Sequence, residues 1–461
     1  MIKLRSTVVY AGMVALTVAG FFWIRSLGAS LAPPPGDGPA RFGTAPTSEA
    51  VNVLTHVLIA LVVIILVARG LGSIFRRIGQ PPVMGEIIGG ILLGPSLLGR
   101  VAPEAYAFLL PPSVAPHLGV LAQVGVILYM FLVGLHLDTR LIRQRTEASV
   151  AISHTSILAP FLLGSALSLF LYGRWAAPGV PFPVFAMFLG VSMSVTAFPV
   201  LARILTDRHM HKSALGSLAL ACAAVDDVTA WCLLALVVGV ARSDPSQVFL
   251  TAGLTAAFIG VLYFLVRPVA RRFVAQRSKA PERSQGTLAV ACVALLVCAL
   301  ATESIGIHAL FGAFLLGALI PHDSQVARDI HAKLEDAVVV LLLPVFFAFT
   351  GMRTQMGLLS GPEEWIACGL IVLVASTGKF GGSLIAARLT GSTWRESAAL
   401  GILMNTRGLM ELIVLNVGLD LGVLSPALFA MLVLMAVVTT VATTPILQLL
   451  TAKDRAVDRA G

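Results

Sequence analysis

The sequence predicts an all-α polytopic membrane protein, and three observations predict it. Of 461 residues, 57% are hydrophobic and only 12% charged, with a mean hydropathy of +0.92; a soluble domain of this size carries about twice that charged fraction. Apolar runs of about 20 residues recur along nearly the whole chain, each long enough to cross a hydrocarbon core of roughly 30 Å. Backbone groups in lipid must be satisfied within their own segment, so these runs are expected as helices. The ten-residue alternating strands of a membrane barrel are not visible in the sequence.

Thirteen spans are expected, at 51–72, 82–99, 118–137, 148–172, 182–205, 214–242, 247–267, 284–302, 306–320, 334–351, 363–388, 396–417 and 425–450. One extra hydrophobic segment, 6–24, precedes them, and a polar loop with Pro33-Pro34-Pro35-Gly36 follows it. The chain thus divides into an N-terminal segment and loop (1–50), a transmembrane domain (51–450) and a short cytoplasmic tail (451–461). That tail leaves no room for a fused cytosolic nucleotide-binding domain. The first segment has a second reading. Lys3 and Arg5, an apolar stretch and Ala29-Ser30-Leu31-Ala32 resemble a secretory signal with a small-residue cleavage site.

The net charge of +9 sits in the short loops between spans, where it sets topology rather than binding nucleic acid. With the N-terminus in the cytoplasm, the inside positions hold Lys3 and Arg5; Arg69, Arg76 and Arg77; Arg140, Arg143 and Arg145; and the cluster from Arg267 to Arg283. The outside loops hold only Arg25, Arg41, Arg100, Arg174, Arg242 and Arg353. This bias predicts an even number of crossings, fourteen, with both ends inside. The five cysteines all lie in apolar runs without metal-ligand spacing, as small packing residues. The expected location is the cell (plasma or inner) membrane, multi-pass and in contact with lipid, and no cofactor is expected.

Charged side chains at membrane depth are costly and usually functional. Four stand out: Asp226, Asp227, Lys379 and Arg407. At a rise of about 1.5 Å per residue, Asp226 and Asp227 lie roughly 20 Å from the cytoplasmic end of their span, Lys379 roughly 14 Å and Arg407 roughly 17 Å. All four therefore fall near the midplane. Adjacent helix residues point about 100° apart, so the two aspartates face different partners; one can pair with Lys379 while the other faces a water-filled cavity. Desolvation disfavours a charged carboxylate, which lets a proton and a cation compete for the same oxygens. That competition is sufficient for antiport, and hard monovalent cations take oxygen ligands. Mutually neutralising packing charges are the weaker reading, because a hydrophobic isostere does a purely structural job as well.

Two spans carry helix-breaking patterns. The 182–205 span contains Ser192-Met193-Ser194-Val195-Thr196-Ala197-Phe198-Pro199, where the proline frees a backbone carbonyl and nearby hydroxyls satisfy the disturbed backbone. A proline-kinked ordinary helix is the alternative. The 396–417 span contains Asn405-Thr406-Arg407-Gly408. Two interrupted spans in matching halves of a transporter point to a midplane site. Six spans separate them, so repeats of odd helix number place them in opposite orientation.

At these residues the chain resembles the second family of monovalent cation:proton antiporters, which includes bacterial sodium/proton and potassium/proton antiporters and the plant cation/proton exchangers. The matching stretches are Gly85-Glu86-Ile87-Ile88-Gly89-Gly90 with Leu93-Gly94-Pro95-Ser96-Leu97-Leu98-Gly99, then Ser194 to Leu205, Ala224 to Trp231, Phe346 to Gly351, and Met404 to Leu412. The resemblance implies an inverted-repeat antiporter fold with two crossing broken helices, a homodimer, and a core domain that moves like an elevator against a dimerisation domain. It maps the family's ion-binding aspartate, which would take Na+ or K+, onto Asp227. The preceding acidic position maps onto Asp226 and the core lysine onto Lys379. Many plant exchangers resemble Asn-Asp where this chain has Asp226-Asp227. The paired acids look more like the electrogenic bacterial members, while Val228-Thr229-Ala230-Trp231 looks more like the exchangers.

The expected function is thus exchange of a monovalent cation for protons, with Asp227 and Asp226 as ion and proton sites and Lys379 and Arg407 as core charge partners. Thr196, Pro199, Asn405 and Thr406 shape the helix breaks. Glu86 and Glu411 either line an entry funnel or are helix-end charges at the interface, and His154 reads as a satisfied buried histidine. A gated cation channel is the alternative. An intramembrane enzyme fits poorly: membrane aspartyl proteases need one Asp on each of two helices, and magnesium-diphosphate enzymes need a second acidic cluster.

Overall fold

A computed structural model of the chain describes residues 2–28, 31, 53–136, 147–208, 210, 213–242, 248–277, 284–321 and 323–458. The proline-rich loop, the cleavage-site residues Ala29, Ser30 and Ala32, and the loop charges Arg140, Arg143 and Arg145 lie outside them. Among the described residues, eleven helices are long and apolar enough to cross a membrane. A twelfth span is a bent pair of helices, and shorter apolar helices occur at Gly12–Gly28 and Ala309–Leu319. Together these account for the thirteen expected spans and the N-terminal segment, and the protein is a multi-pass helical membrane protein.

In chain order the helices are α1 (Ile2–Gly28), α2 (Val53–Arg77), α3 (Pro82–Leu93), α4 (Ala115–His136), α5 (Glu147–Trp175), α6 (Phe182–Ser194), α7 (Phe198–Asp207), α8 (Ala214–Arg242) and α9 (248–277). They continue with α10 (Ser284–Ile305), α11 (Ala309–Leu319), α12 (325–353), α13 (Pro362–Leu389), α14 (Trp394–Met404), α15 (Leu409–Asp420) and α16 (Pro426–Asp458). Two expectations need correction. The span placed at 306–320 is only eleven residues long, about 16 Å at 1.5 Å per residue. Gly306 (φ 97°) and His308 (φ 69°) turn the chain sharply in front of it, and it is buried among neighbouring helices. The span placed at 334–351 starts earlier, at Gln325, because Ser324 caps a polar first stretch through its hydroxyl to the Ala327 N–H.

Packing sorts the helices into two bundles. In one, α4 packs on α11 and α12, α3 on α2 and α12, and α10 on α11. Small residues bring these backbones together: a Cβ added to Gly134 on α4 would stand 3.0 Å from the Cα of Gly317 on α11, and the reverse holds too. In the other bundle α5 packs on α6, α8 and α13, while α14 packs on α13 and α16. Helix α1 lies on α5 and α6, with the Phe21 and Phe161 rings 5.8 Å apart. The bundles meet where α12 touches α15. There Arg353 donates to Asn416 Oδ1 (2.9 Å) and Asp420 Oδ1 (2.5 Å), and Asn416 donates to Thr350 Oγ1 (2.8 Å). Cys222, Cys298 and Cys368 are buried packing residues as expected, but Cys232 is exposed on the helix surface. His154 is half-buried, with Nδ1 2.8 Å from the Val150 carbonyl.

Candidate functional site

The second bundle holds both interrupted spans. Pro199 sits in the first turn of α7, where its missing N–H costs nothing, but its ring would clash with the carbonyl four residues back if the helix continued. The chain therefore leaves helix at Val195 (φ −73°, ψ 135°) and re-enters after Ala197 (φ −90°, ψ 92°). Hydroxyls before the break tie back to the backbone: Ser192 to Phe188 O (2.8 Å) and Ser194 to Gly190 O (2.7 Å). The second interruption runs from Asn405, which ends α14, through Gly408, which precedes α15, and bends the two halves by 43°. Gly408 is required by close approach, since a Cβ there would stand 2.6 Å from Cγ2 of Val200 on α7. The two breaks touch directly: Ala197 N–H donates to the Thr406 carbonyl at 3.0 Å.

The crossing gathers the midplane charges. Asp226 is fully buried and both its oxygens are taken. Oδ1 accepts from Ser153 (2.5 Å), and Oδ2 has Ser156 (2.7 Å), Thr196 (2.8 Å) and the Lys379 ammonium (2.9 Å) within donating distance. Lys379 also donates to the Ser194 carbonyl (2.5 Å) and lies 3.4 Å from Ser156 Oγ. It sits in a π-helical turn, Thr377–Gly381, inside α13. Such bulges redirect a side chain out of an otherwise regular helix, and Gly378 and Gly382 let that turn press against Pro160 and Ala159 of α5.

Asp227 points elsewhere, as the 100° offset requires. It is 4% exposed, takes a hydrogen bond from the Phe198 backbone at the start of α7, and leaves Oδ1 buried without a partner. A carboxylate at a helix N-terminus meets both open N–H groups and the positive end of the helix dipole. Asn405 Oδ1 and Thr406 Oγ1 are likewise buried without a partner. These oxygens have acceptor capacity that water or an ion can fill.

Arg407 does not join the aspartates. It is fully buried, pairs with Glu411 one turn on (3.2 Å), and donates to the Ser192 (3.1 Å) and Met193 (2.8 Å) carbonyls at the end of α6. Glu411 therefore does not line a funnel or sit at the interface; the guanidinium draws it into the middle of the bundle. Glu86 is also buried, on α3 against Gly72 of α2. One cavity among the described residues, about 390 Å³, lies between the bundles beside Asn416 and Asp420, the partners of Arg353. Gln123, Glu303, His308, Phe346, Asn416 and Asp420 are among its lining residues.

Sequence reading missed Ser153 and Ser156, the hydroxyls that hold Asp226. Their signal was a polar stripe on an apolar span, Ser149, Ser153 and Ser156, at helical spacing on one face. It also missed Thr440 on α16, whose hydroxyl accepts from the Arg407 N–H (2.9 Å) and donates to the Arg407 carbonyl (2.8 Å), replacing helical bonds lost at the break.

With this geometry in place, the likeness to known proteins is informative. The chain is 44% identical over 402 residues to the Na(+)/H(+) antiporter NhaS4 of Synechocystis, covering 86% of this chain and 97% of that protein. It is 39% identical over 423 residues to the cation/H(+) antiporter 18 of Arabidopsis thaliana and 34% identical over 405 residues to the K(+)/H(+) antiporter 1 of Saccharomyces cerevisiae. It spans about half the length of these two, 50% and 46%. In structure it matches the sodium proton antiporter MjNhaP1 of Methanocaldococcus jannaschii with a TM-score of 0.61 over 87% of this chain and 97% of that one, at 15% identity, which speaks to the fold alone. The family model for the transmembrane region of sodium/hydrogen exchangers matches residues 57–453, and this chain belongs to that family.

Proposed function

We propose that this protein is a secondary antiporter of the cell membrane that exchanges Na+ or K+ for protons. The observation that carries the reading is the division of labour between two adjacent carboxylates at a crossing of broken helices. Asp226 is filled by three hydroxyls and an ammonium, while Asp227 keeps an open oxygen beside the Phe198 N–H. Relatives named as sodium/proton, potassium/proton and cation/proton antiporters support it.

In this reading Asp227 binds either a proton or a cation, and the amide and hydroxyl oxygens of Asn405 and Thr406 complete the ion's shell. A dehydrated monovalent ion in a low-dielectric site needs a carboxylate to offset its desolvation, and a proton on that carboxylate removes the attraction. Loading one ion therefore releases the other, which is coupling. Access alternates as the α5–α8 and α13–α16 bundle slides against α2–α4 and α10–α12 like an elevator, and the chain works as a homodimer. The cavity between the bundles carries Glu303 on its lining, a carboxylate that attracts cations.

The test is flux in proteoliposomes with an internal pH reporter, using sodium, potassium, lithium and rubidium in turn. Proton movement should follow an imposed gradient of at least one of these cations, and Asp227→Asn should abolish it while the protein still inserts. Cation flux without coupled proton flux would identify a channel. Full exchange by Asp227→Asn would remove Asp227 from the site.

A further inference from the structure

Helix α1 lies outside the matched family region, which begins at residue 57, and it packs on α5 and α6 of the bundle that carries the aspartates. It is 27 residues long, roughly 40 Å at 1.5 Å per residue, which is enough to cross a hydrocarbon core. Its faces are sorted. Met13, Thr17, Gly20, Phe21, Ile24 and Gly28 recur at helical spacing and turn inward, while Leu16, Phe22, Trp23 and Leu27 are exposed. Lipid supplies no hydrophobic drive for helices to associate, and small residues at the contact let backbones approach. Here the glycines do this. A Cβ on Gly20 would stand 3.1 Å from Leu162 Cδ2, and one on Gly28 would collide with the Phe182 ring at the start of α6. A cleaved secretory signal needs an apolar run but no sorted faces.

The contacts with α5 have a register. Met13 Sδ lies 3.3 Å from the Thr155 hydroxyl, Gly20 meets Leu162, and the Phe21 ring meets that of Phe161. Residue numbers rise together along both helices, so they run parallel, as two spans separated by α2, α3 and α4 must. These contacts straddle Pro160. That proline lies inside α5 and has no N–H for the Ser156 carbonyl, so the helix is weakened at the turn that supplies Ser153 and Ser156 to Asp226. Thr155, between those serines, faces another side of α5, toward α1.

We propose that α1 is a retained span of the aspartate-bearing bundle that splints α5 across Pro160 and so holds Ser153 and Ser156 on Asp226. It acts through α5, and Met13, Gly20 and Phe21 are positioning residues. The functional half of the inference rests on the reading of Asp226 as part of the exchange cycle.

The intact mass of the purified full chain should include α1; a mature protein that begins after Ala32 would overturn the inference. Met13→Cys combined with Thr155→Cys, oxidised in membranes, should form a disulfide that leaves exchange in proteoliposomes unchanged, because both helices move as one body. Failure to cross-link, or a cross-link that stops exchange, would take α1 out of the bundle. Gly20→Leu drives a side chain into Leu162 and should slow exchange about threefold or more, within the coupling expected of contacting residues. In Ser156→Ala protein the same change should cost less, because the hydroxyl it displaces is already gone. Leu16→Ala, on the outer face, should slow neither. An equal loss with and without the Ser156 hydroxyl would make α1 a stabilising helix only and sink the splint. Gly20→Val carries this arm if Gly20→Leu does not fold. If the wild-type protein exchanged no cation for protons, the antiport reading would fail, while the mass and the cross-link would still decide the place of α1.

Discussion

Replacing Asp226 with asparagine should retain the proposed exchange and make it electroneutral. Two aspartates and one lysine sum to one negative charge when all are ionised, and one bound monovalent cation neutralises that. If Asp226 and Lys379 take part in the proton cycle beside Asp227, two protons exchange for one cation and each turnover moves one net charge. The membrane potential then contributes about 2.3 kcal/mol per 100 mV, roughly a fiftyfold change in the sustainable cation gradient. The Lys379 ammonium lies 2.9 Å from Asp226 Oδ2. At an effective permittivity of about 20 their attraction is about 6 kcal/mol, set against the cost of taking both charges out of water. With asparagine that attraction is gone. The neutral Lys379 should be preferred, and one titrating unit disappears from the cycle. The amide nitrogen must also face one set of former donors, so a lowered melting temperature is expected. The assay is current from wild-type and Asp226→Asn proteoliposomes on a supported membrane under the same cation jump, normalised to tracer cation uptake. Equal charge per cation in the two proteins would refute the reasoning and leave Lys379 alone, or neither group, setting the stoichiometry.

Two further outcomes test the architecture of the crossing. Ser153→Ala and Ser156→Ala each remove a hydroxyl from the Asp226 carboxylate, at 2.5 and 2.7 Å; each should cost about 1–3 kcal/mol, the range for hydrogen bonds to charged groups, read as a fall in melting temperature, and no change would mean that water replaces them. Gly408→Ala places a methyl 2.6 Å from Val200 Cγ2 and should destabilise by about 1–3 kcal/mol; Val200→Ala should restore part of the loss, and an unaffected Gly408→Ala would show that the two broken spans do not meet as described.

The helical, multi-pass class, most span positions and the two interruptions were legible in the amino-acid sequence because each is a local property, although the span expected at 334–351 starts at Gln325 and that expected at 247–267 runs on to Arg277. Hydrocarbon thickness dictates run length, and a proline or an Asn-Thr-Arg-Gly stretch breaks a helix wherever it lies. The exceptions were local in another way. The short Ala309–Leu319 helix is bounded by a turn at Gly306 and His308 that no hydropathy window detects, and the π-helical turn at Lys379 leaves the residue pattern of α13 unchanged.

Pairing did not follow. Rise per residue places Arg407, Lys379, Asp226 and Asp227 at about one level, and every opposite-charge pairing among them satisfies that. Only the packing of α5, α6, α8 and α13 around the crossing brings Lys379 to Asp226 and Arg407 to the end of α6, whereas the Arg407–Glu411 pair is a local one-turn contact. The packing also leaves Asp227 with an unclaimed oxygen. The physical reason is range: a helix break is set by its own residues, whereas these hydrogen bonds are set by angles and by distances near 3 Å between segments 30 to 215 residues apart, which only the assembled bundle defines.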